Sequence, residues 1–66
     1  MLKLKVNDVV CLVDDLPKEA LAKGAIGTVV AAFSAPEEAF EVEFCDERGA
    51  TLAQVTLSAH QIKSMN

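Results

Sequence analysis

Two glycines, Gly24 and Gly27, lead directly into the β-branched residues 28–30. Glycine adopts positive φ angles and allows another backbone to approach closely, so this pair predicts a tight turn followed by a sharply bent strand. That combination is typical of very small β-barrels, and it constrains the architecture more than any other stretch of the chain. It contributes no catalytic group, so the sequence specifies the fold better than the function.

The length of the chain limits it to one small domain, which we place at residues 1–66. A domain of this size buries only about 60% of the surface that its unfolded chain exposes. Hydrophobic residues nevertheless make up 52% of the sequence. This surplus predicts an apolar partner surface, so we expect self-association or docking onto another protein.

Apolar and β-branched runs separated by turn signals predict five short strands. They cover residues 4–13, 26–33, 40–44, 51–57 and 62–65. Asn7 and Asp8 interrupt the first strand early, and Gly49 ends a hairpin turn at a position that favours positive φ. This pattern predicts an all-β fold, a small, partly open SH3-like barrel of about five strands.

Two short turns of helix are predicted between the strands. Residues 17–23, in the first long loop, have Pro17 at the start, Asp15 as a possible N-cap and Gly24 as a terminator. We therefore expect one or two helical turns there. Residues 58–61 suit a single 3₁₀ turn before the last strand.

The third predicted strand alternates apolar and acidic side chains. This spacing places Phe40, Val42 and Phe44 on one face of the strand and Glu41 and Glu43 on the other. We expect the three phenylalanines of the chain, at positions 33, 40 and 44, to form the bulk of the core.

The first predicted strand carries a second apolar row. If Val10 and Leu12 face the core, then Val9, Cys11 and Val13 face outward, because side chains alternate along a strand. Three outward apolar side chains are costly on a free surface, so we expect the row to be buried.

Two coverings of this row remain open. The loop of residues 16–23 folds over it, with Leu16 and Leu21 as the cover. Alternatively, the row is the interface with a second copy or with another protein. Val9, Cys11 and Val13 are therefore candidate interaction residues.

The charge distribution argues against nucleic acid as the partner. The formal net charge is −4 and the six basic residues are scattered, whereas phosphate binding requires a basic surface. Acidic residues instead cluster at positions 37, 38, 41, 43, 46 and 47. Glu41 and Glu43 form either a solvated strand face or a docking patch for a basic partner.

Few residues offer chemistry. Cys11, Cys45 and His60 are too few for a zinc site, and no C-x-x-C spacing is present. A redox or metal role for them stays an alternative, but we expect no catalytic, metal or cofactor residues and no enzyme activity. No apolar run reaches the about 20 residues that a membrane helix needs. We expect a cytoplasmic protein with reduced thiols.

The order of motifs resembles that of a known family. The motifs occupy residues 8–13, 16–17, 24–30, 40–44 and 51–57. In this order they resemble a family of short bacterial proteins called domain of unknown function 4926, over nearly the whole chain. The resemblance implies an SH3-like barrel, a bacterial source and no established catalytic residues. Such small genes often sit beside a companion gene, as toxin and antitoxin partners do.

A more distant likeness connects residues 8–12 and 24–29 with the KOW modules of ribosomal and transcription proteins. Those modules often place basic loops against RNA, whereas the turns here hold acidic residues. We therefore expect a non-enzymatic protein-interaction module, either self-associating or docking on another protein as a small accessory or antitoxin-like partner. The alternative is a KOW-like nucleic-acid-binding module.

Overall fold

The computed structural model describes residues 4–65, so residues 1–3 and 66 of the predicted domain lie outside it. Five strands form one antiparallel sheet in the order β4-β3-β2-β1-β5. The strands are β1 (Val9–Leu12), β2 (Ile26–Phe33), β3 (Ala39–Cys45), β4 (Thr51–Ser58) and β5 (Ile62–Ser64). Two 3₁₀ turns accompany them, Pro17–Glu19 and Ala59–Gln61. The sheet bends without closing, which confirms the predicted all-β, partly open SH3-like barrel.

The first strand is shorter than predicted because a turn precedes it. Asn7 adopts a φ of +79°, and the Oδ2 atom of Asp8 accepts a hydrogen bond of 2.9 Å from the backbone N–H of Lys5. The chain enters the sheet only at Val9. The predicted interruption at Asn7 and Asp8 thus sets the start of β1.

The loop after β1 contains less helix than predicted. A single 3₁₀ turn, Pro17–Glu19, ends at Ala20, which has a left-handed φ of +56°. Asp15 does not cap this turn; its Oδ1 atom accepts a hydrogen bond of 2.7 Å from the N–H of Lys23 and so ties the two ends of the loop together. A segment this short gains too few internal hydrogen bonds to sustain an α-helix. None of the helical segments in residues 4–65 is long and apolar enough to cross a membrane.

The core lies on the inner, concave side of the sheet. Val10 and Leu12 of β1 face into it, as the alternation predicts, and are at most 1% exposed. Leu21 belongs to the same cluster and Leu16 packs against it. The loop's leucines therefore contribute to the core instead of covering Val9, which is 40% exposed.

One predicted core residue is on the wrong side. Phe40 and Phe44 are buried, but Phe33 is 49% exposed. A β-bulge between Val29 and Ala31 inserts one extra residue into β2. The extra residue reverses the alternation beyond it, so Phe33 pairs with Ala39 on the outer face.

The three glycines of the chain meet two different structural requirements. Gly24 and Gly49 adopt φ angles of +90° and +84°. Gly27 does not, but a Cβ atom there would lie 2.7 Å from Cγ1 of Val42 and 2.9 Å from the carbonyl oxygen of Glu43. Glycine at position 27 thus leaves room for Val42 and the backbone of β3, which is consistent with a bend in β2 at this position.

Candidate interaction surface

The strand register defines the outer face of the sheet, the face opposite the core. Directly paired residues on neighbouring strands direct their side chains to the same face. Val9 pairs with Thr28, Thr28 with Glu43, and Glu43 with Gln54. One row of the outer face therefore runs from the apolar strand β1 to the acidic strand β3. Two candidate interaction residues that are far apart in sequence, Val9 and Glu43, lie on the same surface.

The β1 side of the outer face carries an apolar patch, which we define as Val9, Cys11, Ile26 and Met65. Cys11 pairs with Ile26 on one side and with Lys63 on the other. The N–H of Met65 donates a 2.9 Å hydrogen bond to the carbonyl of Val9, which places the two residues side by side. Ile26 and Met65 are 55% and 47% exposed.

The predicted outward row of β1 has three different environments. Val9 is exposed, Cys11 is buried at 6% exposure, and Val13 is half-buried just beyond the end of the strand. The backbone N–H of Val13 donates to the carbonyl of Gln61 at 3.0 Å. Cys11 is buried outside the main core cluster, between its cross-strand neighbours. The row is thus partly covered within the chain, and its open end at Val9 joins Ile26 and Met65.

The β3–β4 side of the outer face carries a carboxylate patch, defined as Glu41 and Glu43 with the hydrogen-bond donors beside them. The hydroxyl of Thr56 donates to Oε1 of Glu41, and Nε2 of Gln54 donates to Oε2 of Glu41 at 3.1 Å. The hydroxyl of Thr51 donates to Oε2 of Glu43 at 2.9 Å. Both carboxylates are held in place by donors from β4.

These donors also affect ionisation. The hydrogen bond from Thr56, followed by that from Gln54, lowers the pKa of Glu41 below its ordinary value against a smaller opposing effect of burial. A hydrogen bond to the charged form favours that form. These two hydrogen bonds therefore favour the charged form of Glu41.

Sequence reasoning found only part of this surface. It identified Val9, Cys11, Glu41 and Glu43, but not Ile26 and Met65, because their position beside β1 depends on strand register. Gln54 and Thr56 were recognisable from the alternation of β4, whose polar positions face the same way as the glutamates.

Of the remaining chemistry-bearing residues, Cys45 borders the carboxylate patch, and His60 belongs to neither patch. Cys45 is exposed at the end of β3, opposite Thr51, and His60 is exposed in the second 3₁₀ turn. Both cysteines are free thiols. Over residues 4–65, no group of three or more His, Cys, Asp and Glu side chains is arranged to hold a metal ion. An open depression at the β3–β4 turn is lined by Cys45, Asp46, Glu47 and Arg48.

Comparison with known proteins identifies the family. The family model described as domain of unknown function (DUF4926) matches residues 6–64. The match includes every strand of the sheet and both patches of the outer face, except Met65. Comparison with curated proteins and with solved structures gives no significant match. The chain belongs to the DUF4926 family.

Proposed function

We propose that this DUF4926 protein is a non-enzymatic protein-interaction module and that the outer face of its sheet is the binding surface. The observation that supports this most is the shared row from Val9 to Glu43, which joins an exposed apolar patch to a carboxylate patch on one face. Apolar burial provides affinity and fixed charges provide orientation. The biological role that fits such a module is that of a small accessory or antitoxin-like partner of another protein.

The spacing of the two patches describes the partner. Neighbouring strands lie about 4.8 Å apart, so Val9 and Glu43, two strands apart, are separated by roughly 10 Å. A complementary surface presents an apolar side chain about that far from a lysine or arginine. Because Glu41 and Glu43 are already held by Thr56, Gln54 and Thr51, little side-chain entropy is lost when the partner binds.

The same charges argue against the KOW-like alternative. A nucleic-acid surface needs lysines and arginines, and here the outer face combines apolar side chains with two ordered carboxylates. Binding through phosphate contacts would weaken steeply as the salt concentration increases. A gel-shift assay at low salt with single- and double-stranded DNA and RNA distinguishes the two functions.

We place the protein in the cytoplasm as part of the same proposal. The support comes from the two cysteines, which are both free thiols, one of them exposed. Exposed thiols persist in a reducing compartment.

The binding surface is tested by comparing two charge-reversed proteins as bait in a lysate of the native host. In one, Glu41→Lys and Glu43→Lys reverse the carboxylate patch. In the other, Glu37→Lys and Glu38→Lys make the same change in net charge in the exposed β2–β3 turn. We expect proteins captured by the wild type to be lost with the first bait and retained with the second. Circular dichroism verifies that both baits are folded.

The captured partner then allows kinetic tests. Reversal at Glu41 and Glu43 slows its association by about tenfold at low salt and flattens the salt dependence, because steering charges act chiefly on the association rate. Val9→Ser with Ile26→Ser instead speeds dissociation. A partner that binds all these variants like the wild type removes the outer face from the proposal.

A further inference from the structure

The two edges of the open sheet are not equally protected. β5, at one edge, has only three residues and includes Lys63. Short length and lysine are devices by which proteins prevent an edge strand from pairing with another chain. β4, at the other edge, has eight residues, Thr51–Ser58, with no charged residue and no proline. Its edge carries neither of the two devices that protect β5.

The backbone of β4 is hydrogen-bonded on one side. Over residues 4–65, the backbone groups of residues 51–57 bond only to β3. The N–H of Ser58 is occupied by Oε1 of Gln61 at 2.9 Å, and a bulge at Leu52 interrupts the register at the other end. A regular segment, residues 53–57, remains between them, and its midpoint is Val55.

We propose that this segment pairs with the same segment of a second copy of the chain, antiparallel, about a two-fold axis at Val55. In this register Val55 faces its own counterpart, Ala53 faces Leu57, and Gln54 faces Thr56. The first two pairs lie on the inner face, since Val55 pairs with Val42 and Leu57 with Phe40 of the core. Gln54 and Thr56 lie on the outer face opposite Glu43 and Glu41. Every apolar side chain thus meets an apolar one, and every polar side chain a polar one.

Symmetry selects this register. A two-fold axis perpendicular to the sheet keeps the inner faces of both copies on the same side. Because directly opposed residues then share a face, the axis must lie where one residue opposes its own counterpart in the second copy. Centring the axis on Val55 uses the whole regular segment, whereas centring it on Gln54 brings the bulged Leu52 into the pairing. The acidic residues do not oppose the pairing. Glu41 of one copy and Glu43 of the other lie three strand spacings apart, about 14 Å, which is beyond the screening length at physiological salt.

We assign a second copy of the chain as the strand that pairs with β4, because the sequence of β4 is complementary to itself in this register. The edge offers no charge to select a different partner strand. Pairing extends the sheet across both copies and leaves Val9, Ile26 and Met65 of the outer face uncovered. The proposal therefore concerns a different surface from the apolar patch and does not depend on a bound partner.

The test is sedimentation velocity of the purified full chain over a concentration series. We expect a monomer–dimer equilibrium for the wild type. In Gln54→Lys with Thr56→Lys, each lysine lies opposite a lysine of the second copy, and the dissociation constant increases at least about tenfold. Within one chain these lysines lie beside Glu43 and Glu41, so the fold is retained, as circular dichroism verifies. The control, Ala22→Lys with Ser34→Lys, adds the same charge at exposed loop positions and keeps the wild-type equilibrium.

Disulfide crosslinking tests the register, in a background in which the exposed Cys45 is replaced by serine. Val55→Cys lies on the axis and forms a covalent dimer on mild oxidation. Ala53→Cys lies opposite residue 57 and stays uncrosslinked. A wild type that is monomeric throughout the series, a lysine variant that dimerises as tightly as the wild type, or equal crosslinking at positions 53 and 55 overturns the proposal.

Discussion

Phe40, Val42 and Phe44 on the inner face of β3 are at most 2% exposed, whereas Glu41 and Glu43, one residue away on the same strand, are half-buried on the outer face. The inner side chains belong to one core cluster that includes residues from every other strand. The outer glutamates accept hydrogen bonds from three polar side chains of β4. Truncations on the inner face are therefore expected to cost much more stability than changes on the outer face, where we propose that the binding surface lies.

The largest effect is expected from a matched pair of phenylalanine truncations. Phe44→Ala leaves a cavity in the core and costs about 3–5 kcal/mol. This is a large part of the about 3–10 kcal/mol that a chain of this length has in total. Phe33→Ala, on the outer face, costs about 1 kcal/mol or less, because half of that side chain is already in water. Urea unfolding followed by circular dichroism measures both.

The comparison between the faces fails if the two truncations have similar costs. A loss at Phe33 as large as that at Phe44 would mean that the bulge in β2 does not place Phe33 outside the core. Phe33→Ser extends the test, since a polar side chain is tolerated only on the outer face.

The next largest loss of stability is expected at Gly27, where an added Cβ atom would clash with neighbouring residues of β3. Gly27→Ala places a Cβ atom against Val42, the ring of Phe44 and the Glu43 carbonyl, and costs about 1–3 kcal/mol. Asparagine at Gly24 is the contrasting change. Asparagine tolerates positive φ, and no atom lies within 4 Å of the added Cβ there. We expect Gly24→Asn to cost about 1 kcal/mol or less.

Thermal and urea unfolding measure the stability of these variants, with Gly27→Asn as the substitution matched to Gly24→Asn. The comparison separates the need for a positive φ at Gly24 from the need for space at Gly27. Gly27→Asn is expected to be more destabilising than Gly27→Ala, because its side chain is larger. If Gly24→Asn is as harmful as Gly27→Asn, then the positive φ at Gly24 is as demanding as the lack of space at Gly27, and the expected contrast between the two positions is wrong.

The sequence predicted the strands well because its periodicity reports which side chains are buried. β2 has the predicted bounds, and β3 and β4 differ from theirs by one residue at an end or two. The bulge in β2 was not predictable, since residues 29–33 form a continuous apolar run in which no residue marks a change of face. The assignment of Phe33 to the core rested on its being one of the three large aromatic side chains of the sequence. A local shift of register has no signature in composition, and it depends on how β2 and β3 pair.

The outer face shows the same limit. Glu41 and Glu43 were visible as candidates from alternation alone. The position of Glu43 in the same row as Val9 could not be predicted, because it depends on the pairing of β1 with β2 and of β2 with β3. The loop of residues 16–23 was one of two possible covers for the row of β1, but Asp15 and the Leu16–Leu21 bridge fold it onto the core. Alternation along the sequence shows which residues share a face of one strand. Which residues of different strands lie side by side depends on tertiary pairing.

The smallest expected change in stability comes from a substitution on the outer face, and its size depends on pH. Thr56→Val removes the hydroxyl that contributes most to the lowered pKa of Glu41, and it keeps the β-branched shape. A carboxylate whose pKa is lowered by folding stabilises the protein above its unfolded pKa, and this contribution is lost as pH falls through the folded value. The variant is therefore less stable than the wild type at neutral pH. The difference narrows as pH falls below the ordinary value of 4.5.

Urea titrations from neutral to acidic pH measure this difference, and Glu41→Gln provides the reference background. Without an ionisable group at position 41, Thr56→Val has the same effect at every pH. A difference in the Glu41 protein that stays constant across the titration would show that the hydroxyl acts through packing and not through the carboxylate charge. The hydrogen bond from Thr56 would then not contribute to the lowered pKa of Glu41, and Gln54 would remain the only donor on β4 that this structure shows acting on that carboxylate.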